Sequence, residues 1–467
     1  MTVTLPEATE LRYSVSNNVS CLYQFYCSYI ILYRNAGGEK EFLPAELLAE
    51  SLKVLVRKYY RPVAGWFERR GSCDVDVVCR SDRFNDPPFT TQTLDMEYKT
   101  AEGHVHGSNI ELFVPQGPEG TITDDDPNMP MFLAKATYLE SNEGVVLGVN
   151  YHHSLMDGSS FWMFMNNWSS LCGQLRAQPN RTEFDLPYPP EFGFPEISHL
   201  RDPSRSFKHH EYVLVDAGEC SKVFQPGPDT IAENVFTITT EQQLEIRRLA
   251  KAHGTSFTEM LCAIFWKGLS EVRLQARPEL SEGTSLFTCA VNPRKRLGIS
   301  ANLCGSPVIN TSGAETVAEI ARLDLVDVAQ IVRQVIGKGN GAYLSSSFDF
   351  LLGHWQKEMA AEALGQTVDK KIMLVYVRPQ SVKCTVSSSP TFPIYQTDFG
   401  FGPPAYVRPP FLPFDGCLRI WPTPQYTCGE TTAPLEVYLS HPECLDLTTS
   451  PLLRQFGRRT GFGPISG

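Results

Sequence analysis

Tyr151-His152-His153-Ser154-Leu155-Met156-Asp157-Gly158 is the stretch that decides how this chain is interpreted. An apolar run, 145–149, leads into it and predicts a buried strand that begins at Gly144. The residues that follow, 159–164, have apolar side chains at helical spacing. A histidine at the junction of a buried strand and a helix is held on a rigid scaffold and can still contact a ligand. The sequence therefore predicts a functional histidine at this junction.

The spacing of His153 and Asp157 is weak support when it stands alone. A loop histidine followed by an aspartate that caps the next helix is the ordinary structural interpretation of such a pair. The functional interpretation therefore depends on what accompanies the pair elsewhere in the chain.

Five further stretches accompany it. In chain order they are 51–65, which ends in Pro62-Val63-Ala64-Gly65, then Ser256-Phe257-Thr258-Glu259, Val291-Asn292-Pro293-Arg294-Lys295-Arg296, Asp398-Phe399-Gly400-Phe401-Gly402 and Pro434-Leu435-Glu436-Val437. Together with His153–Gly158 they resemble, in the same order, the signatures of the BAHD family of acyl-CoA-dependent acyltransferases. That family includes plant hydroxycinnamoyl transferases, vinorine synthase and fungal trichothecene acetyltransferases. The resemblance covers nearly the whole chain.

Four departures from the family pattern stand out. Phe401 and Ser389 occupy positions where the family usually has Trp. Leu303-Cys304-Gly305-Ser306 replaces its Tyr-x-Gly-Asn, and the stretch 80–89 does not follow its pattern. These differences affect the expected choice of acceptor more than the expected fold.

The bulk composition describes an acidic globular protein. A chain of 467 residues exceeds what one core supports, so we expect two domains. A net charge of −11 argues against a nucleic-acid partner, since binding to phosphate backbones needs a broad basic surface. An anionic co-substrate such as CoA then requires a local basic pocket. The candidates for its phosphates are Arg294, Lys295, Arg296 and Lys338.

Thirteen cysteines are scattered along the chain, without a C-x-x-C pair or a Cys/His cluster at zinc spacing. The sequence predicts free thiols in a reducing compartment and no metal site. The first 18 residues lack a basic segment followed by an apolar one, and 21–33 is too short to span a bilayer. We expect a cytoplasmic protein without a membrane partner.

The resemblance implies an α/β fold of two chloramphenicol-acetyltransferase-like domains, with mixed sheets flanked by helices and an active-site channel at the domain interface. The predicted organisation is an N-terminal acyltransferase domain at 1–177, a proline-rich crossover linker at 178–228, and a C-terminal acyltransferase domain at 229–467 that carries the Asp398–Gly402 motif.

Hydrophobic periodicity and capping signals predict individual elements. The predicted strands are 21–33, 74–79, 131–138 and 144–151. The predicted helices are 44–60, 240–253 and a helix that begins with a Ser256-x-x-Glu259 capping box and continues through 269.

His153 is the candidate general base. A thioester-to-hydroxyl transfer needs one group that removes the acceptor's proton and later protonates the leaving thiolate. An unperturbed histidine titrates near pH 6.5 and can do both. The family counterpart of His153 is the catalytic base. His152 points to the opposite side of an extended backbone, so we expect it to pack or to hydrogen-bond structurally.

Asp157 could orient a Ser-His-Asp triad, but the chain has no Gly-x-Ser-x-Gly nucleophile elbow. The resemblance instead implies that Asp157 points away from the reaction and pairs with an arginine, Arg294 first and Arg296 second, and that Gly158 belongs to the same supporting loop. It also implies a structural role for Asp398–Gly402. A kinase-like interpretation of Asp398-Phe399-Gly400 fails because no Gly-rich loop or His-Arg-Asp segment accompanies it.

The predicted protein is a monomeric O-acyltransferase. It moves an acetyl or other short acyl group from acyl-CoA, as co-substrate, to a hydroxyl or amine of a specialised metabolite. We expect no tightly bound cofactor and no acyl-enzyme. Two alternatives stay open: a condensation-type enzyme with carrier-bound donors, because His152-His153-x-x-x-Asp157-Gly158 also fits that class, and a non-catalytic binding protein that retains the fold.

Overall fold

The structure is a computed structural model of the chain. It describes residues 10–14, 26–69, 75–107, 110–116, 129–140, 142–193, 206–216, 230–366, 370–375, 382–412, 414–426 and 433–460.

The strands, in chain order, are β1 (Glu10–Ser14), β2 (Tyr26–Arg34), β3 (Trp66–Arg69), β4 (Val75–Arg80), β5 (Phe89–Leu94), β6 (Phe132–Leu139), β7 (Gly144–His152), β8 (Tyr212–Asp216), β9 (Ile231–Ile238), β10 (Thr284–Val291), β11 (Ile309–Thr316), β12 (Lys370–Leu374), β13 (Lys383–Ser388), β14 (Tyr406–Arg408), β15 (Cys417–Pro422), β16 (Leu435–Pro442) and β17 (Arg458–Thr460).

The α-helices, in chain order, are α1 (Ala45–Tyr59), α2 (Tyr98–His106), α3 (Gly158–Ala177), α4 (Thr240–Ala252), α5 (Phe257–Ala276), α6 (Arg294–Leu297), α7 (Val317–Arg322), α8 (Leu325–Gly337), α9 (Gly341–Ala363) and α10 (Pro451–Phe456).

The chain divides into two compact units. The first comprises Met1–Glu196, Gly298–Val308 and Phe392–Pro410, and the second comprises Ile197–Leu297, Ile309–Thr391 and Phe411–Gly467. The prediction that Asp398–Gly402 belongs to the C-terminal domain is therefore wrong. Hydrogen bonds explain the difference, because β14, which follows the motif, pairs antiparallel with β2 of the first unit.

The predicted linker 178–228 is described only in part. Residues 178–193 belong to the first unit, and 206–216 belong to the second, where β8 pairs antiparallel with β12. The remaining linker residues, 194–205 and 217–228, lie outside the described residues.

A five-stranded mixed sheet in the order β14-β2-β7-β6-β5 forms the centre of the first unit. Only the β5–β6 pair is parallel. β7 is the middle strand, and all nine of its residues are buried, which explains its continuous apolar sequence. A three-stranded sheet in the order β1-β4-β3 belongs to the same unit.

Helices α1 and α3 pack against each other in the first unit. The buried side of α1 comprises Leu48, Ser51, Leu52, Leu55 and Val56, as its periodicity predicts, and Pro44 sits at the N-cap. The indole N–H of Trp168 on α3 donates to the Ser51 hydroxyl at 3.0 Å, so the contact between the helices includes a buried hydrogen bond.

A seven-stranded mixed sheet in the order β11-β10-β13-β15-β16-β9-β17 is the larger sheet of the second unit, with parallel pairs at β10–β13 and β13–β15. Helix α5 begins with the predicted capping box of Ser256 and Glu259, and most of its residues are buried. Helix α4 begins with a second capping box, of Thr239 and Gln242.

The predicted elements agree with the structure within a few residues wherever the chain is described, except that α5 continues to Ala276, beyond the predicted end at 269. Positions 21–25 of the first predicted strand and residue 74 of the second lie outside the described residues. Mixed sheets flanked by helices confirm the predicted fold class. In the described part of the chain, no helix is both long enough and apolar enough to cross a membrane.

Candidate active site

His152 is the last residue of β7, and its side chain is fully buried. The ring packs edge-on against Phe67 and Tyr26, with centroid distances of 4.5 and 5.5 Å. Its Nδ1 accepts a hydrogen bond from the backbone N–H of Ser154 at 3.2 Å. Burial, together with the neighbouring His153, lowers the pKa of His152 to about 3. His152 is therefore a neutral packing residue, as its position on the strand predicts.

His153 follows β7 in the first turn of the loop and is half-buried. Its Nδ1 lies 3.5 Å from the hydroxyl oxygen of Ser306, at the outer limit of a hydrogen bond. Burial holds the pKa of His153 below its ordinary value of 6.5, although a hydrogen bond to its own backbone and the charge of Asp157 oppose the shift. The neutral imidazole, which is the form that accepts a proton, therefore dominates at neutral pH.

Asp157 is the N-cap of α3. Its carboxylate accepts a hydrogen bond from the backbone N–H of Ser160 at 2.9 Å, and the residue is buried. A carboxylate at this position satisfies a helix N–H and interacts favourably with the helix dipole. Gly158 follows the cap, and a Cβ there would lie 2.9 Å from the ring of Phe392, so a larger residue would require this ring to shift. Both residues shape the loop that presents His153.

The segment 302–306 supports this loop within the first unit. The carbonyl of Gly305 accepts hydrogen bonds from the Asp157 N–H and the Ser160 hydroxyl, both at 2.9 Å, and the Ser160 hydroxyl also contacts the Leu303 carbonyl at 3.2 Å. Ser306, in the same segment, is buried. The sequence offered one signal, since Leu303-Cys304-Gly305-Ser306 stands where the family has Tyr-x-Gly-Asn, but it did not identify this contact.

Glu191 holds the other side of the same segment. Its backbone forms hydrogen bonds with Asn302 at 3.1 Å and with Cys304 at 2.7 Å, and its carboxylate accepts one from the Ser300 hydroxyl at 2.8 Å. The loop after His153 is thus braced by chain that lies about 150 residues away in sequence.

Asp398 closes a tight loop. Its Oδ1 accepts hydrogen bonds from the backbone N–H groups of Gly400, Phe401 and Gly402, at 2.7, 3.0 and 2.9 Å. Gly400 and Gly402 have φ angles of +92° and +101°, which favour glycine. The glycines of the motif therefore allow one carboxylate to accept hydrogen bonds from three backbone N–H groups.

This loop packs on α3, the helix that follows His153. A Cβ on Gly400 would lie 3.3 Å from Cα of Gly173. The guanidinium of Arg176 lies 3.7 Å from the ring centroid of Phe401, hydrogen-bonds to the Gly400 carbonyl and pairs with Glu39 at 2.6 Å. Phe401, at the usual Trp position, thus stacks on an arginine of α3.

Phe399 extends the same contact inward. It is fully buried and packs edge-on against Trp168 at 5.0 Å and Tyr33 at 5.9 Å. The motif therefore holds α3 against the sheet.

The four predicted CoA-binding cations differ in their surroundings. Arg294 is buried and donates to the Asn292 side chain at 3.1 Å. Arg296 donates to the carbonyls of Ile336 and Gly339 at 3.0 and 2.7 Å, and so caps the C-terminus of α8.

Lys338 and Lys295 complete the set. Lys338 donates to the Ser312 carbonyl at 2.9 Å, whereas Lys295 is exposed. The structure brings Arg296 and Lys338 to the same end of α8, where part of their hydrogen-bonding capacity is already used.

Comparison with known proteins identifies the family. A statistical model of the Transferase family matches residues 5–443. The chain therefore belongs to this family, the BAHD acyl-CoA-dependent acyltransferases.

Named relatives are similar to this chain in sequence, and solved structures are similar to it in fold. The chain is 23% identical over 414 residues to a hydroxycinnamoyltransferase of Narcissus pseudonarcissus, covering 86% of each chain. It is similar in fold to F. graminearum TRI101 in complex with coenzyme A and T-2 mycotoxin, with a TM-score of 0.73 and 19% identity over 97% of this chain and 100% of the other. Vinorine synthase gives a TM-score of 0.66 and 17% identity over 98% and 95%.

Proposed function

We propose that the protein transfers an acyl group from acyl-CoA to a hydroxyl or amine of a small specialised metabolite, with His153 as general base. The observation that carries this assignment is the placement of His153 directly after a fully buried strand, half-buried, with a lowered pKa. A base in this state is unprotonated at neutral pH and is held in position by β7 and α3.

In the proposed reaction, His153 removes the proton of the acceptor as its oxygen or nitrogen attacks the thioester carbonyl. The tetrahedral intermediate then collapses, the carbon–sulfur bond breaks, and His153 returns the proton to the CoA thiolate. Nδ1 faces Ser306, so we assign proton transfer to Nε2. Donor and acceptor bound together gain the advantage of proximity without a covalent enzyme intermediate.

Asp157 is proposed to support this site rather than to take part in the chemistry. Its cap on α3 and its N–H bond to Gly305 fix the backbone on which His153 is held. We retain the proposal that Asp157 pairs with Arg294, with Arg296 as the second choice, and that Gly158 and Asp398–Gly402 support the loop and its helix.

For CoA, we propose that phosphate recognition draws on Arg294, Lys295, Arg296 and Lys338. Lys295 and Arg296 are both exposed and can therefore reach a ligand. Arg296 and Lys338 lie together at the C-terminal end of α8 and keep some donors for a ligand beyond their bonds to carbonyl groups.

Further parts of the proposal concern the length of the acyl group, the oligomeric state, bound cofactors and the location in the cell. We propose an acetyl or other short acyl donor, a monomer without a tightly bound cofactor, and a cytoplasmic location. Within the described residues, buried cysteines such as Cys262 and Cys384 have free thiols, which fits a reducing compartment.

The test is a matrix of acyl-CoAs against hydroxylated and amine acceptors, with release of CoA measured with and without acceptor. The proposal expects CoA release that depends on the acceptor, and a product whose mass equals acceptor plus acyl group minus one hydrogen. Use of carrier-bound donors in place of acyl-CoA would favour the condensation-type alternative. Tight binding of acyl-CoA and acceptor without turnover would favour a binding protein.

Intact mass of the enzyme after incubation with acyl-CoA alone tests the order of events. A stoichiometric acyl adduct that passes its acyl group to acceptor at the rate of turnover would contradict direct transfer.

A further inference from the structure

Ser346, His209 and Glu211 form a connected hydrogen-bond chain within the second unit, separate from the residues assigned to acyl-CoA transfer. The Ser346 hydroxyl lies 3.0 Å from Nε2 of His209, and Nδ1 of His209 lies 3.0 Å from Oε1 of Glu211. The serine comes from α9, and the histidine and glutamate come from the segment that leads into β8.

The partners of His209 determine its tautomer. A carboxylate can only accept, so the Nδ1 that faces Glu211 carries the proton. In the neutral form of the ring, Nε2 is then an acceptor, and the hydroxyl that it faces is the donor. The O–H of Ser346 is therefore directed at a base, which is the arrangement that activates a serine nucleophile.

Glu211 is fixed as an orienting acid. Its side chain is almost completely buried and accepts hydrogen bonds from the Tyr343 hydroxyl at 2.7 Å and the Ser312 hydroxyl at 2.6 Å, besides its bond to His209. Hydrogen bonds from these three donors offset the free-energy cost of burying the carboxylate. The His209 side chain is only 4% exposed, whereas Ser346 at the outer end is half-buried and can be reached from solvent.

A cavity of about 330 Å³ lies next to this chain: its lining includes Tyr343, which bonds to Glu211, but not Ser346, His209 or Glu211 themselves. Tyr343 is one helical turn before Ser346 on α9, so the two residues share a face. The lining also includes Phe207, Lys208, His210, Glu315 and Lys338. Its two lysines outnumber its one carboxylate, so the cavity fits the negatively charged group of an ester whose carbonyl lies at Ser346.

We propose that Ser346, His209 and Glu211 form a second reactive centre, a Ser-His-Glu triad that hydrolyses small anionic carboxylic esters. His209 takes the proton of Ser346 as its oxygen bonds to the ester carbonyl carbon. The ester C–O bond breaks, and the alcohol leaves with that proton. Water then attacks the acyl-serine with His209 as base and releases the acid, which restores the serine. The lysines of the neighbouring cavity hold the negatively charged group of the substrate.

This centre is distinct from the proposed acyl transfer by His153. It needs neither CoA nor an acceptor other than water, and Ser346, His209 and Glu211 are not among the residues assigned to that reaction; Lys338 of the neighbouring cavity is shared. Loss of one activity should leave the other measurable, so the two proposals can fail independently.

The test begins by treating the full-length wild-type protein with a fluorophosphonate probe. Such a probe forms a bond between its phosphorus and the oxygen of an activated serine, and fluoride leaves. Peptide mass spectrometry identifies the modified residue. The proposal expects the adduct on Ser346 in wild type and in His153→Ala. A folded wild-type protein that is not modified at Ser346 would overturn the proposal, as would modification only at other serines.

Hydrolysis of mono-4-nitrophenyl succinate, against neutral 4-nitrophenyl butyrate of similar size, tests the substrate class. We expect the anionic ester to be preferred in kcat/KM, and we expect Ser346→Ala and Glu211→Gln to lose at least about tenfold of this activity. Ser345→Ala removes the neighbouring hydroxyl on the same helical turn and is the matched control. Equal rates in Ser346→Ala and wild type, with both folded by circular dichroism, would show that the hydrogen-bond chain only anchors 206–212 to α9.

Discussion

Asp157 accepts a hydrogen bond from the backbone N–H of Ser160 at 2.9 Å, so the aspartate of the His-x-x-x-Asp motif is the N-cap of α3. The same residue donates its own N–H to the Gly305 carbonyl at 2.9 Å. These two bonds define the path of the chain between His153 and the helix. The motif spacing thus matches what a strand, a short loop and a capped helix require.

Asp157→Ala should lower the free energy of unfolding by about 1–2 kcal/mol, because it removes a buried N-cap. Asp157→Asn keeps a capping oxygen and should cost less. Urea unfolding of both variants measures the difference. Equal losses in the two variants would mean that the cap is not what stabilises this loop.

The proposed ion pair between Asp157 and Arg294 can be tested separately from the helix cap. In a double-mutant cycle of Asp157→Asn and Arg294→Gln, the effects on stability should be non-additive by more than about 0.5 kcal/mol. Additive losses would show that the two side chains do not interact.

Arg176→Met should destabilise the first unit by about 1–2 kcal/mol, because it removes the stacking on Phe401, the bond to the Gly400 carbonyl and the pair with Glu39. The activity of the remaining folded protein should change little. Arg248→Met is the matched control, since Arg248 pairs with Glu245 on an exposed face of α4. A fall in Tm of the same size in both variants would contradict a structural role for the Asp398–Gly402 loop.

The pH dependence of kcat/KM follows from the lowered pKa of His153. A general base works in its neutral form, so the rate should rise with pH through the pKa of His153 and then level off. The midpoint should lie below the ordinary histidine value of about 6.5. A midpoint well above that value would mean that another group limits the reaction.

Acid should destabilise the protein through His152. Its pKa is about 3 in the folded protein and about 6.5 in the unfolded chain, so the unfolded state binds a proton that the folded state excludes. The stability that depends on neutral His152 is complete above about pH 6.5 and is lost as pH falls toward 3. His152→Leu should therefore show a shallower loss of unfolding free energy between these values. His253→Leu, which changes an exposed histidine at the C-cap of α4, should keep the wild-type slope.

Local patterns in the sequence predicted local structure well. The apolar run before His153 gave β7, the three-to-four-residue spacing in 44–60 gave the buried side of α1, and Ser256-x-x-Glu259 gave the start of α5. Each of these signals is complete within one turn or one strand, so neighbouring residues suffice to read it.

Contacts between distant segments were the part that sequence could not supply. Chain order placed Asp398–Gly402 with the C-terminal domain, whereas pairing of β14 with β2 places it in the first unit. Ser306 lies 153 positions after His153, and Ser346 lies 137 positions after His209. No periodicity connects residues at such separations, because only the folded chain brings them together.

The rate of CoA-dependent acyl transfer in folded His153→Ala, compared with wild type and with the control His253→Ala, tests the central claim most directly. If His153 is the general base, the variant should lose on the order of 10²–10⁴-fold in rate while its circular dichroism stays that of wild type. Retention of more than about a tenth of the wild-type rate by the folded variant would contradict the assignment.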